Sequence, residues 1–306
     1  MPRLSIIVPH CNDDARLELT LLSVLENRPQ ECEVLVVHNG SYPNPYQLQD
    51  EVIFVQEERQ ANTQQLLNAG VLAACAPVVC VLMDGSLVSA GWSEAALQTL
   101  QESDCAAVAV GIANPHTTQA AWGISGEQLG SPQLAQVGRV EGTSSESDCL
   151  GPSLACGFYR RKLLLALGGW NDALDASLAD VELALNWSAL GLRCETAGGE
   201  QIAVAHSQQT RQLTPAACCQ LASLLVAHGR QATGWPAALH SLLGGCLRGR
   251  WLAAAAWSRG LRDASAIRKA QLRLNHVRQQ LDSQQETGRL RIHERPATPA
   301  TGRRAA

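Results

Sequence analysis

Through its first 110 residues the chain alternates two patterns: short aliphatic runs bounded by polar or turn-forming residues, and stretches where apolar residues recur every three or four positions. The runs Leu4–Val8, Glu33–Val37, Val52–Gln56, Val78–Leu82 and Cys105–Val110 have the length and aliphatic content of strands. Between them, Leu17, Leu21, Val24 and Leu25 share one face of a helix that Asn12 or Asp13 can cap, and further helices are predicted over Asn62–Ala74 and Trp92–Leu100. A strand–helix–strand unit crosses over right-handed and sets its two strands side by side in parallel. The alternation therefore predicts an α/β fold with a doubly wound, mostly parallel sheet.

The stretch Val78–Ser86, VVCVLMDGS, organises this pattern. Its apolar positions show no polar alternation, as in a parallel strand covered on both faces, and the run stops at Asp84. Ligands of open α/β sheets bind beyond the carboxyl ends of the strands, where such an acid meets a substrate or a metal. Asp-Gly is also ordinary turn chemistry, so Asp84 read alone is equally a turn residue.

Beyond the fifth strand, Asn114–Leu150 loses all periodicity and reads as a loop or hairpin excursion. Order returns with a strand at Ala155–Arg160, helices at Lys162–Leu167 and Leu178–Leu190, and strands at Arg193–Ala197 and Ile202–Ala205, with His206 just past the last. Pro215–Arg230 and Trp235–Arg262 predict Ala- and Leu-rich helices, and Ala264–Glu286 a polar one. The second carries Arg248, Arg250, Arg259 and Arg262 beside Trp251 and Trp257. Two readings stay open for it: peripheral contact with anionic headgroups, or packing back on the body with its arginines solvated.

Composition adds an uneven charge. The 306 residues are 46% hydrophobic and 17% charged, with net charge -4, but from Cys246 onward there are 13 Lys/Arg against 4 Asp/Glu, leaving 11 against 24 before it. An acidic body without interleaved aromatic and basic residues argues against nucleic-acid binding. Eleven cysteines without a CxxC pair, and no apolar run of about 20 residues, suit reduced thiols and a cytoplasmic protein, held at the inner face of the membrane where the basic helices touch it. There is no Walker sequence and no G-x-G-x-x-G after a strand, which weakens triphosphatase and dinucleotide readings.

Four segments, in order, resemble the family-2 glycosyltransferases with a GT-A fold. SIIVPHCND is similar to the family's opening strand and nucleotide-binding turn, and EVLVVHNGS to its second strand. LNAGVLAACAPVVCVLMDGSLVSAGW resembles the passage from an Asn-x-Gly helix into the metal-binding D-x-D; CGFYRRKLLLALGGWNDAL with LADVELALNWSALGLR resembles the acceptor-side block that supplies the catalytic base. The resemblance implies a transferase domain over 1–210, a helical extension over 211–288 and a disordered tail over 289–306. It also implies a nucleotide-diphosphate sugar bound by Pro9, Asn12, Asp13, His38, Asn39, Gly40, Ser41, Asn68 and Asp84. A divalent metal, Mn or Mg, would be held by Asp84 and His206, and Asp180 would act as base in an inverting transfer to a glycan or lipid-linked acceptor of the cell envelope.

The chemistry explains the residue types: a metal neutralises the leaving diphosphate, and a carboxylate takes the attacking hydroxyl's proton. The departures are equally specific. His38 and Asn39 stand where the family has two acids, Asp84 has no acidic partner at Gly85 or Ser86, and Ala179 precedes Asp180 where the family has Glu. The rival reading is therefore a relative of the same fold whose eroded metal site leaves it a sugar- or partner-binding subunit. A nucleotidyltransferase would need a Gly-rich and Lys signature near the first strand that is absent.

Overall fold

The computed structural model describes residues 1–11, 13–40, 42–43, 45–113, 120–125, 133–134, 149–197, 204–206, 211–228 and 251–286. Four parallel strands form from the predicted aliphatic runs: β1 (Leu4–His10), β2 (Cys32–His38), β3 (Ile53–Gln56) and β4 (Val78–Leu82). The helices between them follow the predicted spacing. Asp13 caps α1 (Asp14–Glu26) by accepting from the Arg16 N–H, and Asn62 with Gln65 closes a capping box on α2 (Thr63–Ala73).

β4 runs through the turn Asp84-Gly85 into β5 (Ser86–Val88), a strand the hydrophobic pattern did not predict. After α3 (Glu94–Glu102) come β6 (Ala107–Ala109), β7 (Ile112–Ala113), β8 (Ala120–Ala121), β9 (Ile124–Ser125), β10 (Gln133–Leu134) and β11 (Cys149–Gly151). They are followed by β12 (Cys156–Arg160), α4 (Arg161–Ala166), α5 (Ala179–Ala189), β13 (Cys194–Thr196), β14 (Val204–His206) and β15 (Arg211–Gln212). The helices α6 (Pro215–His228), α7 (Trp251–Gly260) and α8 (Ala264–Glu286) end the described chain. Most of the expected 114–150 excursion, residues 202–203 of the expected last strand, residues 229–250 of the expected C-terminal helices and the tail past 286 lie outside the described residues.

The main sheet has the order β13-β6-β12-β4-β1-β2-β3. Every neighbouring pair is parallel except those of β12, which enters antiparallel between β4 and β6. A smaller sheet, β5-β14-β7-β8, leans off the end of β4; β9 pairs with β11 and β10 with β15. The strand faces alternate between two cores. Ile6 and Val8 of β1 and Cys80 and Leu82 of β4 pack with Leu17, Leu21 and Val24 of α1. Ile7, Val79 and Val81 pack on the other side with Leu66, Leu67 and Val71 of α2 and Trp187 of α5. Gly70 lets α2 lie close to β1, since a Cβ there would come 2.5 Å from Ile7 Cγ2.

The C-terminal helices pack inward. α6 and α7 form a third core with Leu178, Val181 and Leu185 at α5, while Val277 and Leu281 of α8 join the α2 side of the sheet. Trp257 is 1% exposed in that third core, so of the two readings left open for this helix its indole takes the inward one, where a Trp buries a large apolar area. Among the described residues no helix is long and apolar enough to cross a membrane.

Candidate active site

β1 is flanked by β2 on one side and β4 on the other, so successive crossovers leave it in opposite directions. The carboxyl ends of β1 and β4 therefore bound the crevice where an open α/β sheet takes its ligand. His10 ends β1 beside His38 of β2, and Asp84 follows β4. His10 is fully buried, with Nε2 2.9 Å from Asp14 Oδ1 and its ring edge-on to Tyr42 at 5.7 Å. Tyr42 stacks in turn on Phe54. His38 is buried against the same group, and its Nδ1 accepts from the Gly40 N–H at 3.1 Å, which leaves the proton of the neutral ring on Nε2. Burial, and then neighbouring His10, hold the His38 pKa below the usual histidine value. Pro9 is buried within β1, whereas Asp13, Asn39 and Gly40 are at least partly accessible. Asn12 and Ser41 lie outside the described residues.

Asp84 stands on the turn as expected, half-buried, and it is also the turn residue that its Asp-Gly sequence suggests. Burial raises its pKa, offset in part by Arg16 and His10. Arg16 lies directly beside it, with Nη2 donating to the Asp84 carbonyl at 2.8 Å and 3.9 Å from Oδ1. The turn is clamped to α1: Gly85 N donates to Thr20 Oγ1 at 2.8 Å and approaches Arg16 O at 3.2 Å. Sequence reasoning passed over Arg16, although it is the only Lys or Arg between Leu4 and Asn27.

The antiparallel insertion of β12 brings the second acid to this edge. Cys156 pairs with Leu82, so residues 153–155 lie beside the end of β4, and Ala155 O accepts from Met83 N at 3.0 Å. The preceding residue, Leu154, donates its N–H to Asp180 Oδ2 at 3.0 Å, while Asp180 Oδ1 accepts from Val181 N at 3.0 Å. Two hydrogen bonds through Leu154 and Ala155 thus connect the Asp180 carboxylate, in the first turn of α5, to Met83, the neighbour of Asp84. Glu182 points elsewhere: it is buried with Oε1 3.3 Å from Arg273 Nε of α8. Of the two acids opening α5, only Asp180 faces the sheet edge.

Asn68 is set back from the crevice. Its Oδ1 accepts from Trp170 N and its Nδ2 donates to Trp170 O, each at 2.8 Å. Asn62, Gln64 and Gln65 continue this ladder onto Asp172 and Leu174. Its place beneath the 169–174 loop makes Asn68 a brace for that loop. His206 lies opposite Ser86 in the β5–β14 pairing, close in register to Asp84, but its side chain lies outside the described residues.

Among the described residues the expected metal site shows one acid, Asp84. Among the described residues no three His, Cys, Asp or Glu side chains gather to hold an ion. At the D-x-D, Asp84 is the lone acid, and Ser86 is fully buried with Oγ directed at Ala155 O, 3.3 Å away. An apolar hollow of about 660 Å3 along the outer face of α1, lined by Leu19, Leu22, Tyr46 and Leu48, shares only Tyr42 with this site.

The mannosyltransferase PcManGT from Pyrobaculum calidifontis, solved in complex with GDP-Man and Mn2+, superposes with a TM-score of 0.51 at 19% identity, over 94% of this chain and 88% of that one. That likeness establishes the GT-A type of fold. Among curated proteins none matches. The family model "Glycosyl transferase family 2" matches residues 5–164, which span β1 through α4 and include the Asp84 turn. The chain therefore belongs to glycosyl transferase family 2.

Proposed function

We propose that this protein transfers a glycosyl group, with inversion, from a nucleoside-diphosphate sugar to a hydroxyl of a glycan or lipid-linked acceptor in cell-envelope synthesis. The observation that carries the reading is the convergence of Asp84 and Asp180 at one sheet edge through the Met83–Ala155 and Leu154–Asp180 hydrogen bonds. The donor lies along the carboxyl ends of β1, β2 and β4, with Asp13, His38, Asn39, Gly40 and Asp84 toward it. Asp180 takes the proton of the attacking hydroxyl, its carboxylate aimed by the two backbone N–H groups it accepts from. Transfer breaks the bond between the anomeric carbon and the diphosphate oxygen, which keeps the electron pair, as the acceptor oxygen bonds the opposite face. The enzyme works on the cytoplasmic side of a membrane, where exposed Arg259 can meet anionic headgroups.

A second reading, a sugar- or partner-binding subunit without turnover, is favoured by the single acid at the D-x-D and by the closeness of Asp180, which is only 5% exposed. Calorimetric titration with UDP, GDP and dTDP sugars, with and without Mn2+, followed by an assay for donor hydrolysis and transfer, separates the two. Binding with turnover supports the transferase, and binding without turnover the subunit. Absence of nucleotide binding under every condition rejects the transferase.

A further inference from the structure

A nucleoside-diphosphate sugar brings concentrated negative charge to the crevice and gains more as the sugar leaves, so some cation must face it. The positions that would hold a second metal acid are taken. Gly85 has φ +80°, and a Cβ built on it would stand 2.5 Å from Arg16 Nε and 2.7 Å from Nη2. A guanidinium therefore lies where an acidic side chain at 85 would begin, and glycine there allows that approach. At 86 the serine side chain is turned into the protein, fully buried. In both possible registers of the motif the second carboxylate is missing, and among the described residues the Arg16 guanidinium lies directly beside Asp84, with His10 also acting on its charge.

Arg16 is placed rather than loosely solvated. Its backbone N–H is capped by Asp13 and its carbonyl accepts from Gly85 N, while the fork reaches the Asp84 carbonyl. The Asp84 side chain is 17% exposed and that of Arg16 45%, so the fork, at the turn that ends β4, is half open to solvent. A guanidinium has five N–H donors, and among the described residues these make one hydrogen bond, to Asp84 O, besides the long ion pair with Oδ1. An exposed ion pair of that length contributes little to stability, on the order of 0–1 kcal/mol, and does not by itself call for a glycine under the guanidinium.

We propose that Arg16 is the cation that receives the donor's diphosphate, doing at this site what a metal bound between two acids would do. The inference rests on the nucleotide-sugar reading above and assigns its charge-compensating residue. Arginine suits the task because its planar fork pairs two phosphate oxygens at once and keeps its charge at any physiological pH. As the anomeric C–O bond breaks, its electron pair stays on the diphosphate oxygen and the added charge faces the guanidinium. The proton of the acceptor hydroxyl goes to Asp180. Asp84, bonded through its carbonyl, holds Arg16 in place.

The test is calorimetric titration of GDP, UDP and dTDP, and of guanosine, uridine and thymidine, into the full chain and its Arg16→Gln and Arg16→Lys variants, in excess EDTA and in excess Mn2+. Charge-assisted hydrogen bonds contribute about 1.5–3 kcal/mol, so Arg16→Gln weakens the preferred nucleoside diphosphate about 10- to 100-fold and leaves its nucleoside unchanged. Arg16→Lys recovers part of the loss, and EDTA leaves wild-type affinity within about twofold on the same scale. Because Arg16 is half exposed, thermal melting of both variants stays near wild type. Equal diphosphate affinity in wild type and Arg16→Gln, or a wild-type affinity that collapses in EDTA, overturns the proposal. Failure of the wild type to bind any nucleoside diphosphate is a different result: it removes the donor reading, and this inference with it.

Discussion

On the β1–β4 side of the sheet edge, Asp84 stands half-buried on a turn with the partly exposed Arg16 guanidinium alongside. On the β12 side, Asp180 is closed over, each carboxylate oxygen accepting a backbone N–H. The supports differ in the same sense. The Asp84 turn is clamped to the first turns of one helix, through Thr20 Oγ1 and Arg16. The Asp180 block is braced from behind by α2, through Asn62, Gln64, Gln65 and Asn68, and by α8, through Glu182–Arg273 and the bond from Arg273 to Gly169 O. An open charge pair can exchange partners with an incoming anion. A carboxylate fixed by main-chain donors keeps one orientation, which is what proton abstraction from a single hydroxyl requires.

The sharpest way to break this contrast is Asp180→Asn. Removing the proton acceptor lowers transfer by about 10²- to 10⁴-fold while donor affinity, measured by calorimetry, stays at the wild-type level. The amide also turns an NH2 toward one of two backbone donors, so some loss of melting temperature accompanies it. Undiminished turnover removes Asp180 as the base.

Asn68→Ala acts one layer further back. It leaves the Trp170 N–H and C=O without their partners next to a buried indole and costs about 2 kcal/mol, read as a lower urea midpoint at unchanged slope. Turnover falls because the acceptor-side block loosens, whereas affinity for the donor nucleotide holds. A variant that instead loses nucleotide binding would return Asn68 to the donor site.

The smallest effect is a pH dependence behind α5. His228 is buried with Nδ1 donating to Leu224 O at 2.8 Å and Nε2 2.9 Å from the Asn186 amide. Burial lowers its pKa more than Leu224 O and Glu182 raise it. The unfolded chain therefore binds the proton more readily than the folded one. Its contribution to stability is fully present above the ordinary histidine value of about 6.5 and is lost as pH falls below it, through the depressed folded value. Denaturant midpoints measured from pH 7.5 to 5 fall on acidification, and His228→Gln flattens that slope; an unchanged slope in the variant assigns the dependence elsewhere.

Much of the N-terminal half was legible in order. Unbroken aliphatic runs gave β1, β2 and β4, helical spacing gave α1, with Asn12 or Asp13 to cap it, and α2, and the abrupt stop at Asp84 marked the edge of the sheet. These features are local: a strand covered on both faces or a capped helix is written within a dozen residues. Trp257 shows the limit of that legibility. Beside arginines on a helix, its pattern fits a membrane surface and a helical core equally, and only its neighbours on α5 and α6 distinguish them.

The sequence by itself determined a mostly parallel α/β sheet, an acid delivered to its carboxyl edge and the missing acidic partner after it. The tertiary structure decided what stands beside that acid. No local pattern says that β12 inserts antiparallel between β4 and β6, because strand pairing is set by partners far along the chain, yet that insertion sets Leu154, which donates to Asp180, beside the end of β4. Nor does an arginine on the first turn of an amphipathic helix announce its contact. Arg16 meets Asp84 across 68 residues of sequence, because α1 packs against the sheet and Gly85 leaves room for the guanidinium.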